Sequence, residues 1–299
     1  MTLQRTLGPS TGRAQDRGWA ARPPWGREVV LVAASYGLYT LTRNTLPAHE
    51  SRARANALDL ARAERHLHLD IERTLNDAVA GHSTNPLSVL ANYTYSLSHL
   101  LVTLAVLVWL YVARPQAYRT ARTVLLVTTI LGLIGFWLYP LAPPRFFPEL
   151  GFIDTSVRDG TWGSWGSSTV AALSNQYAAM PSIHVAWSTW SAAAVAVCVR
   201  RRWLKAVALL YPLLVFVVIL GTANHWTLDA AGGVAVIGLG AAVPVVASRR
   251  PDTGRTSASG PRRRRRDGGA LRAPGRPGRH PAPPAVRDLS DQRGPSHLA

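Results

Sequence analysis

Charge is missing from six stretches of this 299-residue chain and crowded into the segments between them. No Asp, Glu, Lys or Arg occurs in 29–42, 78–113, 123–144, 160–199, 206–228 or 230–248. About 20 mostly apolar residues cross a bilayer as a helix. The spacing therefore predicts spans at 87–112, 122–141, 182–199, 204–223 and 227–248, and a short first span at 29–42 completed by its flanks. A first run of this kind also occurs in signal peptides, but the 28 residues before it are long for that role, so it is read as a retained helix. The expected fold is all-α: a polytopic six-transmembrane-helix bundle over 28–248, between a basic segment 1–27 and a tail 249–299. Charged residues make up 16% of the chain, against roughly 25% in soluble domains, which excludes an ordinary soluble enzyme.

The segment 52–79 has a different pattern. Leu58, Leu60, Ala61, Leu67, Leu69, Ile71 and Leu75 can share broad apolar faces, with Arg62, Glu64, Arg65, Asp70, Glu72 and Arg73 on the rest. This predicts an amphipathic helix after the first span, lying on the membrane or packing on the bundle. The tail holds thirteen arginines and four aspartates, and is too poor in apolar residues to fold alone. It has no aromatic residue for base stacking and no recognition motif, so no nucleic-acid partner is expected. Anionic headgroups of the inner leaflet are the expected contact. One cysteine, Cys198, excludes an intramolecular disulfide and a Cys-based zinc site.

Orientation follows from where the arginines fall. Arg114, Arg119 and Arg122, the cluster Arg200 to Arg202 with Lys205, the N-terminal segment and the tail all lie on one side of a six-span chain. The opposite segments, 43–85 and 142–181, are charge-balanced or acidic. Basic loops stay in the cytoplasm, so both termini are expected there, in a plasma-membrane protein.

Three polar features share the outer face. Y-P-L-A-P-P-R (139–145) closes the third span, M-P-S-I-H-V-A-W (180–187) opens the fourth and N-H-W-T-L-D-A-A-G-G (224–233) opens the sixth. Ionisable groups at membrane depth are costly and usually functional. His225 and Asp229 are one helical turn apart; the pair is either a structural helix-end contact or an imidazole oriented for nucleophilic attack. His184 falls in the first turn of a helix beginning near Pro181, where free N–H groups favour an anion. Arg145 suits bidentate contact with phosphate. The Gly/Ser stretch 160–168 reads as a surface loop. Two histidines, a carboxylate and an arginine together suit a phosphoester.

The combination P-x-A-P-P-R, P-S-x-H-V-A-W and N-H-x-x-L-D, with N-Y-T-Y-S-L-S-H at 92–99 upstream, resembles the type 2 phosphatidic acid phosphatase superfamily. It is most similar to the inositol phosphorylceramide synthase-like branch common in actinobacteria. The likeness covers about 28–248. It implies a metal-independent phosphatase or inositol-phosphate-type transferase acting on a lipid-linked phosphate, without a cofactor. His225 would be the nucleophile, Asp229 its orienting carboxylate, His184 the acid for the leaving alkoxide and Arg145 the phosphate clamp. Leu138 and Ile219 stand where the superfamily has a lysine and an arginine, leaving Asn224, Ser182, Tyr139 or loop N–H groups to compensate. A membrane scaffold or transport component retaining the bundle is the alternative; loss of a signature residue would favour it, and both histidines and the aspartate are present.

Overall fold

The computed structural model describes residues 22–45, 50–161 and 175–249. Residues 1–21, the tail after Arg249 and most of the Gly/Ser stretch lie outside them. The described residues are helical throughout, apart from turns and one isolated parallel bridge between Leu141 and Ala178. In order they form α1 (Trp25–Thr45), α2 (Glu50–His66), α3 (Glu72–Ala80), α4 (Pro86–Tyr93), a π turn (Thr94–Ser98), α5 (His99–Ala113), α6 (Pro115–Leu138), a short α7 (Thr155–Arg158), α8 (Ile183–Cys198), α9 (Arg202–Gly221) and α10 (Thr227–Arg249).

The helix boundaries have local causes. Asn85 caps α4, accepting the Ser88 N–H at 3.0 Å, with Pro86 at the first helical position where its missing N–H costs nothing. The chain then runs unbroken through the π turn to Ala113. Pro115 opens α6, several residues before the predicted start, because Arg119 and Arg122 are charged yet still good helix formers. Pro140 stops it. Ser182 caps α8. Among the described residues, three helices are long and apolar enough to cross a bilayer: α4–α5 together, α6 and α9. Apolar side chains such as Leu101, Val108, Ile130, Leu213 and Leu214 point outward from them, a pattern expected of surfaces that face hydrocarbon.

The amphipathic segment is two helices, not one. The chain breaks at His68, which takes a left-handed φ of 56°, and the Leu69 N–H returns to the Glu64 carbonyl at 2.9 Å. The segment packs on the bundle. Its buried face is Ala53, Ala57, Leu60 and Ala61, whereas Leu58, Leu67, Leu69 and Ile71 are exposed. Glu64 and Glu72, expected on the polar side, are buried. On α3, the buried Asn76 ties the helix to the end of α9. It donates to the carbonyls of Gly221 (2.9 Å) and Ile153 (3.1 Å) and accepts the Ile153 N–H (2.8 Å).

Trp226 is the hub of the layer that bears the three polar features. Its ring is buried between Phe147 and Phe152, and its indole N–H donates to the Ala142 carbonyl at 2.8 Å. The Arg145 N–H donates to the Ala223 carbonyl at 2.9 Å. The 139–147 loop and the α9–α10 turn are thereby knitted together.

Candidate active site

α9 ends at Gly221, and the chain turns through Ala223 in a left-handed conformation (φ 53°). The N–H groups of Asn224 and His225 both return to the Ile219 carbonyl, at 3.0 and 3.3 Å, satisfying the end of the helix. α10 starts two residues later. Asp229, one turn in, reaches back to His225: Nδ1 lies 2.8 Å from Oδ2 and 3.1 Å from Oδ1. The Trp226 N–H also donates to Oδ2, at 3.3 Å. An ionised carboxylate only accepts, so this network assigns the His225 proton to Nδ1 and leaves Nε2 with its lone pair. That nitrogen is 3.2 Å from Nδ1 of His184, which must then be the donor.

Close backbone approach brings the two histidines together. The Ser182 N–H donates to the Asp229 backbone carbonyl at 3.1 Å, joining the first turns of α8 and α10. Gly233 permits this: a Cβ there would lie 2.4 Å from the Ser182 carbonyl oxygen. On the other side, a Cβ at Gly135 of α6 would lie 2.3 Å from Pro181 Cδ. Two helix N-termini thus flank the histidines.

A cavity of about 650 Å³ opens over this pair. Arg145 forms one wall. Its guanidinium is held by the side chains of Asn224, Gln176 (3.1 Å) and Asp154 (3.6 Å), and lies over the Phe146 ring. Tyr95 stacks on His184 with ring centroids 4.4 Å apart, and His99 meets His184 edge-on at 4.2 Å. Both project from the π turn or just after it, a widening often found at functional sites. His99 is fixed by donating from Nδ1 to the Tyr95 carbonyl at 3.1 Å. The last turn of α1 contributes Arg43, a second guanidinium on the cavity wall.

Of the residues singled out from sequence, His225, Asp229, His184, Arg145 and Asn224 come together here. Ser182 serves as the α8 cap, its Oγ accepting the Val185 N–H at 3.4 Å, and is fully buried. Tyr139 turns away, its hydroxyl donating to the Asn56 carbonyl on α2 at 3.3 Å. Neither lines the cavity. Gln176, Asp154, Tyr95 and Arg43 were not singled out. Only Tyr95 had a signal, its place inside the 92–99 motif.

Residues 58–243 match the family model described as the PAP2 superfamily. The chain belongs to the PAP2 superfamily. No curated protein and no solved structure matches it. PAP2 membership supports an enzyme of the phosphatase or phosphotransferase type, and together with the three apolar helices it fits a membrane protein. The matched region begins within α2, so α1 and Arg43 lie outside it.

Two further carboxyls sit behind α10. Burial holds Glu64 at about 8, far above the usual carboxylate value, and raises Glu72 as well. Among the described residues no group of three His, Cys, Asp or Glu is arranged to hold a metal ion.

Proposed function

We propose that this protein is a six-span membrane phosphoesterase or phosphotransferase acting on a lipid-linked phosphate through a phosphohistidine on His225. α1, α4–α5, α6, α8, α9 and α10 would be the spans, with both termini cytoplasmic and the cavity on the outer face, in line with the arginine distribution. The observation that carries the reading is the continuous chain Asp229–His225–His184 at the wall of a cavity that also holds Arg145. A nucleophile, its orienter, a proton carrier and a charge clamp share one space, which favours an enzyme over an idle scaffold.

In the first step the His225 Nε2 lone pair attacks phosphorus and the bond to the leaving oxygen breaks. Asp229 stabilises the positive charge that develops on the ring. The leaving oxygen departs in line, on the far side of phosphorus. A group in hydrogen-bond contact with the attacking nitrogen cannot reach it there, so the His184–His225 hydrogen bond must part as phosphate binds. His184, which takes a second proton as the phosphate anion binds beside it, then passes a proton from this imidazolium to the leaving alkoxide and is left neutral. In the second step His184 takes the proton of a water or an alcohol, which attacks phosphorus and breaks the P–N bond. Water gives a phosphatase; an alcohol such as a polyol headgroup gives a transferase. Both use the same residues.

Charge on the phosphate meets Arg145 and Arg43, the two guanidinium groups on the cavity wall. Arg43 thus answers for the cations missing at Leu138 and Ile219. The lipid class rests on a second cavity of about 490 Å³ between α1, α5 and α6, lined by side chains such as Leu104, Val108 and Leu126. It shares Tyr36, Tyr39 and Leu100 with the polar cavity, so a phosphate in one lies next to room for an alkyl chain in the other.

The test uses purified protein in detergent with ³²P-labelled short-chain phosphatidic acid. Acid quenching is avoided, since phosphohistidine is acid-labile and base-stable; base quenching should trap label on wild type and none on His225→Ala. Turnover that needs added divalent metal and survives His225→Ala would overturn the reading.

A further inference from the structure

The first turn of α10 is gripped from behind by two acids that the chemistry above does not use. Glu64, near the end of α2, is fully buried, and its Oε1 accepts the Leu228 N–H at 2.6 Å. Glu72, the first residue of α3, is almost as buried, and its Oε2 accepts the Thr227 hydroxyl at 2.9 Å. The reversal at His68 brings both carboxyls to the same place. The remaining Glu64 oxygen, Oε2, is dry and has no conventional donor; its neighbour is the Glu72 carboxyl. Two ionised carboxylates do not persist side by side in such a site, so the pair retains one proton. That proton lies between them, with Glu64 as its donor and the Glu72 carboxylate as its acceptor. One negative charge remains, placed at a helix N-terminus, where it is favoured.

Thr227 and Leu228 are the residues between Trp226 and Asp229. Any shift of this turn changes how far Asp229 reaches back to Nδ1, and with it the direction of Nε2. We propose that Glu64 and Glu72 are positioning residues: a proton-sharing carboxyl pair that clamps the first turn of α10 and so holds the His225–Asp229 unit in its attacking geometry. The proposal rests on the reading of His225 as the nucleophile. Its logic is differential. Gln at position 64 keeps an acceptor for the Leu228 N–H and offers an N–H to Glu72, so it reproduces the protonated member. Met keeps the length and removes both.

The experiment compares wild type, Glu64→Gln, Glu64→Met and Thr227→Val in detergent, with two readouts. The first is kcat and KM on short-chain phosphatidic acid. The second is the rate at which diethyl pyrocarbonate modifies His225, followed by peptide mass spectrometry, which needs no turnover. Glu64→Gln should stay within about threefold of wild type in both, whereas Glu64→Met should lose about tenfold or more in kcat with KM little changed. Its His225 modification should slow in step. Thr227→Val deletes only the hydroxyl on Glu72 and decides the matter if Glu64→Met does not accumulate; a loss of about threefold or more in kcat and modification rate supports the clamp. Glu64→Gln as impaired as Glu64→Met, or Thr227→Val at wild-type values in both readouts, would overturn it. If wild type turns over no lipid phosphate, the functional reading falls, and the modification rates still decide the clamp.

Discussion

Replacing Asp229 by Asn tests the centre of the proposed mechanism with little change of shape. The carboxylate lies 2.8 Å from His225 Nδ1 and is fully buried. When Nε2 bonds to phosphorus, the ring gains a positive charge that this carboxylate faces. Two unit charges at that separation attract by about 6 kcal/mol at an effective dielectric constant of about 20. With about half the charge developed in the transition state, about 3 kcal/mol is lost, or roughly a hundredfold in rate. An amide adds a second penalty. Its NH2 group can face Nδ1 and draw the ring into the tautomer with the proton on Nε2, which has no lone pair to attack with; loss of the tautomer in a comparable triad is severe. Asp229→Asn should therefore reduce kcat on short-chain phosphatidic acid by at least about a hundredfold. Base-stable label on the protein should accumulate correspondingly more slowly, and the unfolding midpoint should change little. A variant within fivefold of wild type, with label forming at the normal rate, would refute the argument that the carboxylate supports charge on His225.

Ala223 pays a left-handed penalty at a helix-ending position where glycine is preferred; Ala223→Gly should raise stability by about 0.5–1 kcal/mol, read as a higher thermal midpoint in detergent. The Glu64 carboxyl makes stability depend on pH. Its folded value of about 8 lies above the ordinary 4.5, so the folded state binds the extra proton between these values and stability falls as pH rises through that window, by at most about 1.4 kcal/mol per unit. Glu72, Asp70, Asp229 and His225 are the neighbouring titratable groups. Glu64→Gln should flatten the decline between pH 5 and 8, and an unchanged slope in thermal unfolding would assign it elsewhere.

How much of this was legible depended on whether the signal was local. Charge-free runs located the long helices because a run of apolar residues is contiguous in the chain. The His225–Asp229 contact was legible because four residues is one helical turn, and the helix forms as expected. Arg145 could be named from its flanking prolines, but its partners Gln176 and Asp154 could not, since each comes from a different loop. Arg43 ends a helix whose composition says only that it is apolar. Glu64 and Glu72 misled outright. On an amphipathic segment an acid reads as solvent-facing, and only the reversal at His68 with the arrival of α10 makes that face an interior. Leu58 and Leu67 erred in the opposite sense: small alanines, not large leucines, fit the close approach of α2 to Leu141, Phe147 and Trp226.

The indole of Trp226 decides which parts of the site can move relative to one another. Its hydrogen bond to Ala142 and its packing between Phe147 and Phe152 fasten the residue beside His225 to the loop that carries Arg145. His225 and Arg145 are therefore held to one another through Trp226, and tilting of the surrounding helices should change their separation little. α1 packs along α6 and brings Tyr36, Tyr39 and Arg43 to the cavity. A molecule reaching the cavity past α1 would meet His225 and Arg145 as one fixed pair.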